Sequence, residues 1–344
     1  MRLSLFVIVA SVIAFVLLPF AQHASAQDAT PMPAAAAGPA GANGGQLYVF
    51  ESDANGFNTK TFFYDTGTEV VAFDAQFTPD AAEQAIAALR AETDNPITYL
   101  VITHPSPDKF NGMTAFQTRG AKVVASQATT DALPGVQDYK KAFFVGAGMF
   151  TDETYPTLGT VDQTFTGATT LDLGNGQTVE LRELSQPGIS STQTVAFIPE
   201  LDALIVGDLV HHKAHAWLEG GIVDGKATPT LDGWIADLRE LEQLYGAGAV
   251  SPTAGAAEPM VYGGRGEAAP LSIAVADQIA YLEQADKIVS DYVVSLGDRK
   301  AELSGPDASK HYAALQAKFE EEFPDYDLGY MILYGVYGLV NSKL

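Results

Sequence analysis

Cysteine is absent from the 344 residues. That absence excludes disulfides, thiolate zinc sites, iron–sulfur clusters and cysteine nucleophiles. Basic residues are scarce: 19 Lys+Arg stand against 42 Asp+Glu, a formal charge of −23. Without a clustered Lys/Arg face the chain cannot neutralise phosphates, which argues against nucleic acid or an anionic membrane as partner. Histidine is scarce as well, with six in the chain. Phosphate-binding Gly-x-Gly-x-x-Gly does not follow any strand-like run, and neither Ser190 nor Ser191 sits in a Gly-x-Ser-x-Gly elbow. There is no repeat of solenoid period. What is present is 47% apolar and 18% charged residues, a composition that folds, in a length suited to one large domain or two modest ones.

The N-terminus has the form of an export leader. Arg2 supplies the positive region, Leu3 to Phe20 the apolar stretch, and Ala24-Ser25-Ala26 a small-x-small cleavage site. The apolar stretch is also long enough for an uncleaved anchor, but Pro19 and the placement of the cleavage site favour removal near Ala26/Gln27. A periplasmic or secreted protein with no stable membrane insertion is the expectation. Residues 27–46 are rich in Ala, Gly and Pro without periodicity, the composition of a disordered tether. A main domain over 47–297 and a C-terminal helical extension over 298–344 complete the division.

Within the main domain, short apolar runs alternate with amphipathic segments. Strands are expected at Thr61–Asp65, Glu69–Asp74, Tyr99–Thr103, Lys122–Ser126, Thr169–Leu173, Val179–Leu184, Thr194–Ile198 and Ala203–Val206. Helices are expected from Thr78-Pro79 to Glu92, over Met113–Arg119, Leu231–Tyr245 and Leu271–Leu296, and over Asp307–Phe323 in the extension. Beyond Pro324, Tyr326, Tyr330, Tyr334 and Tyr337 recur at spacings that mark one helical face. That face suits packing on the main domain, a substrate lid or a homodimer surface.

The segment TYLVITHPSPDKFNG (Thr98–Gly112) and the later PGISSTQTVAFIPELDALIVGDLV and VYGGRGEAAP resemble the metallo-β-lactamase superfamily, whose opening motif is Thr-His-x-His-x-Asp-His-x-x-Gly after a buried strand. The resemblance implies an α+β fold: a four-layer αββα sandwich of two mixed sheets flanked by helices. It places His104, Asp108 and Asp208 at metal-ligand positions, with Asp208 as the carboxylate that bridges two metals. Four other ligand positions depart from the pattern. Ser106 stands at the second histidine, Lys109 at the fourth ligand of the opening motif, Ile189 at the third histidine and Arg265 at the final one. Aligning SPTAG instead would put Ala254 at that last position.

Elementary chemistry weighs on that set. Serine is a poor zinc ligand, isoleucine none, and Lys or Arg repels a divalent ion. Without metal, Asp108 and Asp208 would be two like charges in a pocket, a costly arrangement that Lys109 and Arg265 could offset. Two cations standing where two metals would be is one reading: a degenerate centre in a small-molecule-binding pseudoenzyme. The other is an active hydrolase with a remodelled single-metal site, holding zinc or another divalent ion through His104, Asp108, Asp208 and a histidine from His211 or His215. Local density marks GDLVHHKAHAWLEGG as pocket-forming, with His211, His212 and Trp217 lining it beside Ser106 and Arg265, and with Asp108, Lys109 and His215 available for acid–base work. A Ser106/Lys109 nucleophile pair has the weakest claim.

Overall fold

Apolar side chains on both faces of the strands set the architecture. The computed structural model, which describes residues 34–247 and 258–344, orders two large sheets. In the first, β1 (Ala36–Ala40), β2 (Gln46–Glu51), β3 (Lys60–Asp65) and β4 (Val70–Phe73) form an antiparallel meander. β5 (Ile97–Val101), β6 (Lys122–Ser126) and β7 (Gln163–Phe165) then add in parallel. Parallel neighbours need crossovers, and these carry α1 (Pro79–Arg90), α2 (Pro107–Phe110), α3 (Met113–Gln117) and α4 (Gln127–Gly146). The second sheet runs antiparallel through β8 (Ala168–Asp172), β9 (Thr178–Glu183), β10 (Thr194–Ile198) and β11 (Ala203–Gly207). A hairpin of β12 (Gly221–Val223) and β13 (Lys226–Thr228) precedes α5 (Leu231–Tyr245), after which β14 (Met260–Gly263) joins parallel to β11 and β15 (Ala269–Pro270) closes the edge. The chain ends in α6 (Leu271–Ser295), a 3₁₀ segment (Gly297–Ser304), α7 (Ala308–Glu322), α8 (Tyr330–Gly335) and α9 (Tyr337–Asn341).

Alternation then assigns the layers. Phe62 and Tyr64 on β3 and Val71 and Phe73 on β4 pack against Ala196 and Ile198 on β10 and Ala203 and Ile205 on β11. Their sequence neighbours point the other way. Phe63, Val70 and Ala72 meet the helices of the first half, while Val195, Phe197, Leu204 and Val206 meet α5, α6 and the C-terminal helices. Period-two strands with both faces apolar can be satisfied only by a sandwich covered on each side. The fold is therefore the four-layer α+β sandwich expected, with C-terminal helices added to one outer layer.

Local signals were accurate where they were strong. Thr78 caps α1, its Oγ1 accepting from Ala81 N at 3.1 Å, with Pro79 in the first turn. Three features differ from expectation. The segment 27–46 is not a tether throughout, because Ala36–Ala40 pairs antiparallel with β2 as an edge strand. An edge needs backbone pairing more than side chains, and Glu200 pins the turn by accepting from Asn43 N at 2.8 Å and Tyr64 Oη at 2.6 Å. The 20-residue α4 was not expected, since Pro134-Gly135 breaks its apolar period; Ser126 Oγ caps it by accepting from Thr129 N at 3.0 Å. Finally, the tyrosine-bearing tail is two short helices, not one continuous face. Residues 1–26, Ala254 and the first part of the tether lie outside the described residues. No described helix is long and apolar enough to cross a membrane.

The extension shares a core with the second sheet's outer layer: Leu315, Phe319, Ile332, Val336 and Leu339 join Val206, Tyr281 and Leu282 in one apolar cluster. Tyr326 stacks on Tyr281 with ring centroids 5.5 Å apart. A buried carboxyl on α5 couples this layer to pH. Asp237 Oδ1 accepts from Gln186 N at 2.9 Å, while Oδ2 has no partner. Burial pushes Asp237 up to about 7, with Glu240 adding to the rise. A carboxyl raised on folding favours the native state in its protonated form, so its stabilisation is lost as pH climbs from the unfolded value through about 7. Replacing Asp237 with Asn should therefore leave a Tm offset from wild type that moves in the variant's favour between pH 4 and pH 8, by more than about 2 °C. Thermal melts across that range check it; a flat offset would contradict the assignment.

Candidate active site

The cleft lies at the C-terminal ends of β5 and β11, where each strand delivers a polar side chain. After β5, Thr103 is tied to Asp74, which follows β4. Asp74 Oδ1 accepts from Thr103 N at 3.0 Å, and the Thr103 hydroxyl lies 2.9 Å from each carboxylate oxygen. Thr103 Oγ1 is also 2.9 Å from His104 Nδ1. The Thr103 hydroxyl thus links Asp74 to the His104 ring. Burial pushes Asp74 up to about 6, against the opposing pull of Lys109 and His104.

Next, the Ser106–Pro107 step opens α2, which turns both Asp108 and Lys109 inward. Ser106 Oγ donates to Asp108 Oδ1 at 2.6 Å. From the other sheet, β11 ends in Gly207 at φ 52°, and Asp208 follows it into the cleft. Arg265 arrives from the loop after β14. That loop passes so close that a Cβ on Gly264 would sit 2.1 Å from Asp208 Oδ1 and 2.9 Å from Lys109 Nζ. Glycine is required there.

These four charged side chains form a closed set. Lys109 Nζ lies 2.8 Å from Asp108 Oδ2 and 2.8 Å from Asp208 Oδ1. Arg265 Nη2 donates to Asp108 Oδ2 at 2.9 Å and Nη1 to Asp208 Oδ2 at 2.7 Å. The guanidinium also donates to Phe57 O at 2.7 Å and Thr59 Oγ1 at 3.0 Å. Lys109 has no solvent exposure and Arg265 only 3%. Burial alone would raise both carboxyls, but Lys109 and Arg265 outweigh it and hold Asp108 and Asp208 below the usual carboxylate range. Conversely the carboxylates outweigh burial at Lys109 and keep it firmly protonated. Two imidazoles flank Asp208: His104 Nε2 at 3.6 Å from Oδ2 and His211 Nε2 at 3.5 Å from Oδ1. Burial lowers His211, more than Asp208 raises it.

Across the cleft stands a second buried pair. Lys140, on α4, meets Glu219, whose carboxylate also accepts from Trp217 Nε1 at 2.8 Å and from Tyr337 Oη on α9. Tyr330 Oη on α8 donates to Asn58 Oδ1 at 2.8 Å. The extension thus closes one side of the cleft.

The sequence profile of the Metallo-beta-lactamase superfamily matches residues 54–249. The chain belongs to that superfamily. Its fold is similar to the "Metallo-beta-lactamase from Pontibacter korlensis", at 21% identity and a TM-score of 0.52, covering 72% of this chain and 99% of that one. A second similar structure is TMB-1, at 17% identity and a TM-score of 0.50, covering 74% of this chain and 99% of that one. No curated protein matches.

Members of the superfamily usually bind zinc, which makes the donor set here the test. It does not fit. The space between the two carboxylates is taken by an ammonium and a guanidinium, each in contact with both. Among the described residues, no three His, Cys, Asp or Glu side chains are grouped so that they could hold a metal ion. Ile189 and Ser106 line the cleft without adding a strong donor.

The structure brings together His104, Ser106, Asp108, Lys109, Asp208, His211 and Arg265, with Trp217 on the far wall. It separates the remaining histidines from them. His215 lies in an aromatic box, its Nδ1 3.2 Å from Tyr281 Oη and its ring among Phe319, Phe323 and Tyr326. Burial lowers it to about 4. Residues 211–215 do not form the helical turn that would align His215 with His211: 212 and 213 are a turn and Ala214 bridges to Asp327. His212 pairs with Asp277 at 3.1 Å, away from the cleft. Sequence reasoning did not single out Asp74, Thr59, Lys140 or Glu219, although Glu219 lies within the GDLVHHKAHAWLEGG segment.

Removing Arg265 alone should leave an uncompensated buried carboxylate. Arg265→Met is expected to cost about 3–5 kcal/mol in urea unfolding at neutral pH. Adding Asp208→Asn restores one cation to one anion and should recover part of that loss. A double variant less stable than the single would contradict a closed set.

Proposed function

We propose that this is an exported metallo-β-lactamase-fold protein whose centre works without metal and whose cleft binds a small molecule without hydrolysing it. The observation that carries the reading is the insertion of Lys109 and Arg265 between Asp108 and Asp208, at 2.7–2.9 Å on every contact. Two buried side-chain cations neutralise the two carboxylates and hold their geometry, the electrostatic part of what metal ions do at such a site. They supply no Lewis acid, so nothing lowers the pKa of a water molecule toward neutrality. Export rests on the Arg2, Leu3–Phe20 and Ala24-Ser25-Ala26 pattern.

The alternative, a remodelled single-metal hydrolase, loses His215 to its aromatic box and would have to expel two paired cations to use the aspartates. A homodimer through the extension gains nothing from Tyr326, Tyr330 or Tyr337, since each is engaged within the chain.

Protein expressed in zinc-supplemented medium and purified without chelator tests the reading. Elemental analysis should find far less than one zinc, iron or manganese per chain, and EDTA should leave the Tm unchanged. Stoichiometric metal, or a Tm that falls with chelator, would overturn it, because a bound structural or catalytic ion stabilises the native state by mass action.

A further inference from the structure

Charges in the cleft sit at two places, and at both they are consumed internally. On the floor, the Arg265 guanidinium makes four hydrogen bonds to protein acceptors, and Lys109 lies wholly buried between two carboxylates. On the wall, Lys140 meets Glu219 beneath the rings of Trp217 and Phe143, 5.4 and 5.8 Å from their centroids. Glu219 is saturated in turn by Trp217 and Tyr337. A ligand carboxylate or phosphate could recruit a cation only by stripping it from a buried aspartate or glutamate. A ligand ammonium would face the mirror problem. Each exchange leaves a buried charge without its partner, the costliest polar change a pocket can undergo.

Between these closed sets the lining is apolar: Phe57, Phe77, Phe144, Trp217, Ile189 and Ile222. Phe57 meets Phe77 and Trp217 edge to face, at 4.8 and 5.9 Å, and an aromatic wall of this kind suits another flat ring. His104 also lines the cleft, but its Nε2 faces Asp208 Oδ2 at 3.6 Å and its Nδ1 faces Thr103 Oγ1, so it is engaged within the protein as well. We infer that the cleft selects an uncharged, flat aromatic molecule. Rejection of charged molecules follows from ion pairs already complete, a case of specificity by penalty as well as by contact. The inference rests on the metal-free reading above, since a metal would supply an unspent cation for an anionic ligand.

The test is calorimetric titration of the full protein at neutral pH with three probes of one shape: β-naphthol, β-naphthoate and the matching naphthylmethylammonium ion. β-Naphthol should bind saturably, and both charged probes at least about tenfold more weakly, a difference of about 1.4 kcal/mol. Ile189→Trp, which fills the cleft from its lining, should abolish β-naphthol binding while the Tm stays close to wild type. No saturable β-naphthol binding, equal or tighter β-naphthoate binding to metal-free protein, or undiminished binding by a folded Ile189→Trp variant would each overturn the inference. If Ile189→Trp does not fold, the ranking of the three probes on wild type decides alone. Elemental analysis of the same sample separates the two failures: β-naphthoate binding that disappears with EDTA from a metal-bearing protein refutes the metal-free reading, not the argument from paired charges.

Discussion

Two carboxylates less than a side chain apart in a buried cleft repel each other, and everything else at this site follows from how that repulsion is met. Lys109 and Arg265 each touch both Asp108 and Asp208, so the four formal charges cancel within one shell of contacts. The arrangement is conditional on neighbours. Asp108 also accepts from Ser106 and Thr59, and the two flanking imidazoles stand at 3.5–3.6 Å from Asp208. Such a set is stabilising only when complete; with any one member removed, the remainder is worse than an apolar filling.

The backbone is shaped to permit this. Asp108 and Lys109 share the short α2, which the Ser106-Pro107 step starts in the right place, and Asp208 leaves β11 through a left-handed glycine. Gly264 then lets the Arg265 loop pass within contact of both Asp208 and Lys109. The two sheets bring these pieces together at one end of the sandwich, and the C-terminal helices close the side through Tyr330 on Asn58 and Tyr337 on Glu219. A scaffold associated with metal chemistry is thereby left with a rigid, neutral cleft. Its charged groups are ion-paired with one another, although Lys109 Nζ, Asp208 Oδ1 and both His211 nitrogens are not aligned for hydrogen bonds, and its walls are aromatic.

Much of this is legible in the sequence, and the reason the rest is not is physical. Strands with both faces apolar, the Thr78-Pro79 cap and the ordered motifs around His104 and Asp208 identified the sandwich, because they are local or periodic signals. The contact of Lys109 and Arg265 with the same two aspartates could be argued from charge alone, since cations at such positions must be paired. Density in sequence is not convergence in space: four residues beyond His211, His215 turns into a box of Tyr281, Phe319, Phe323 and Tyr326 contributed by α6, α7 and the segment after it. Lys140 and Glu219 went unnoticed for a related reason. They are 79 residues apart, and α4 lacks a helical apolar period around Pro134-Gly135. The strand Ala36–Ala40 is hidden by small side chains that carry no pattern, although its backbone pairs antiparallel with β2, with a register shift between Ala37 and Ala40.

The central claim is that side-chain cations occupy the space between Asp108 and Asp208. Diffraction at the zinc absorption edge, from crystals grown with excess zinc, tests it most directly. The account predicts Lys109 Nζ and the Arg265 guanidinium bridging the two carboxylates, with no anomalous peak between them. A zinc peak at that position, with Lys109 or Arg265 swung away from Asp208, would contradict it.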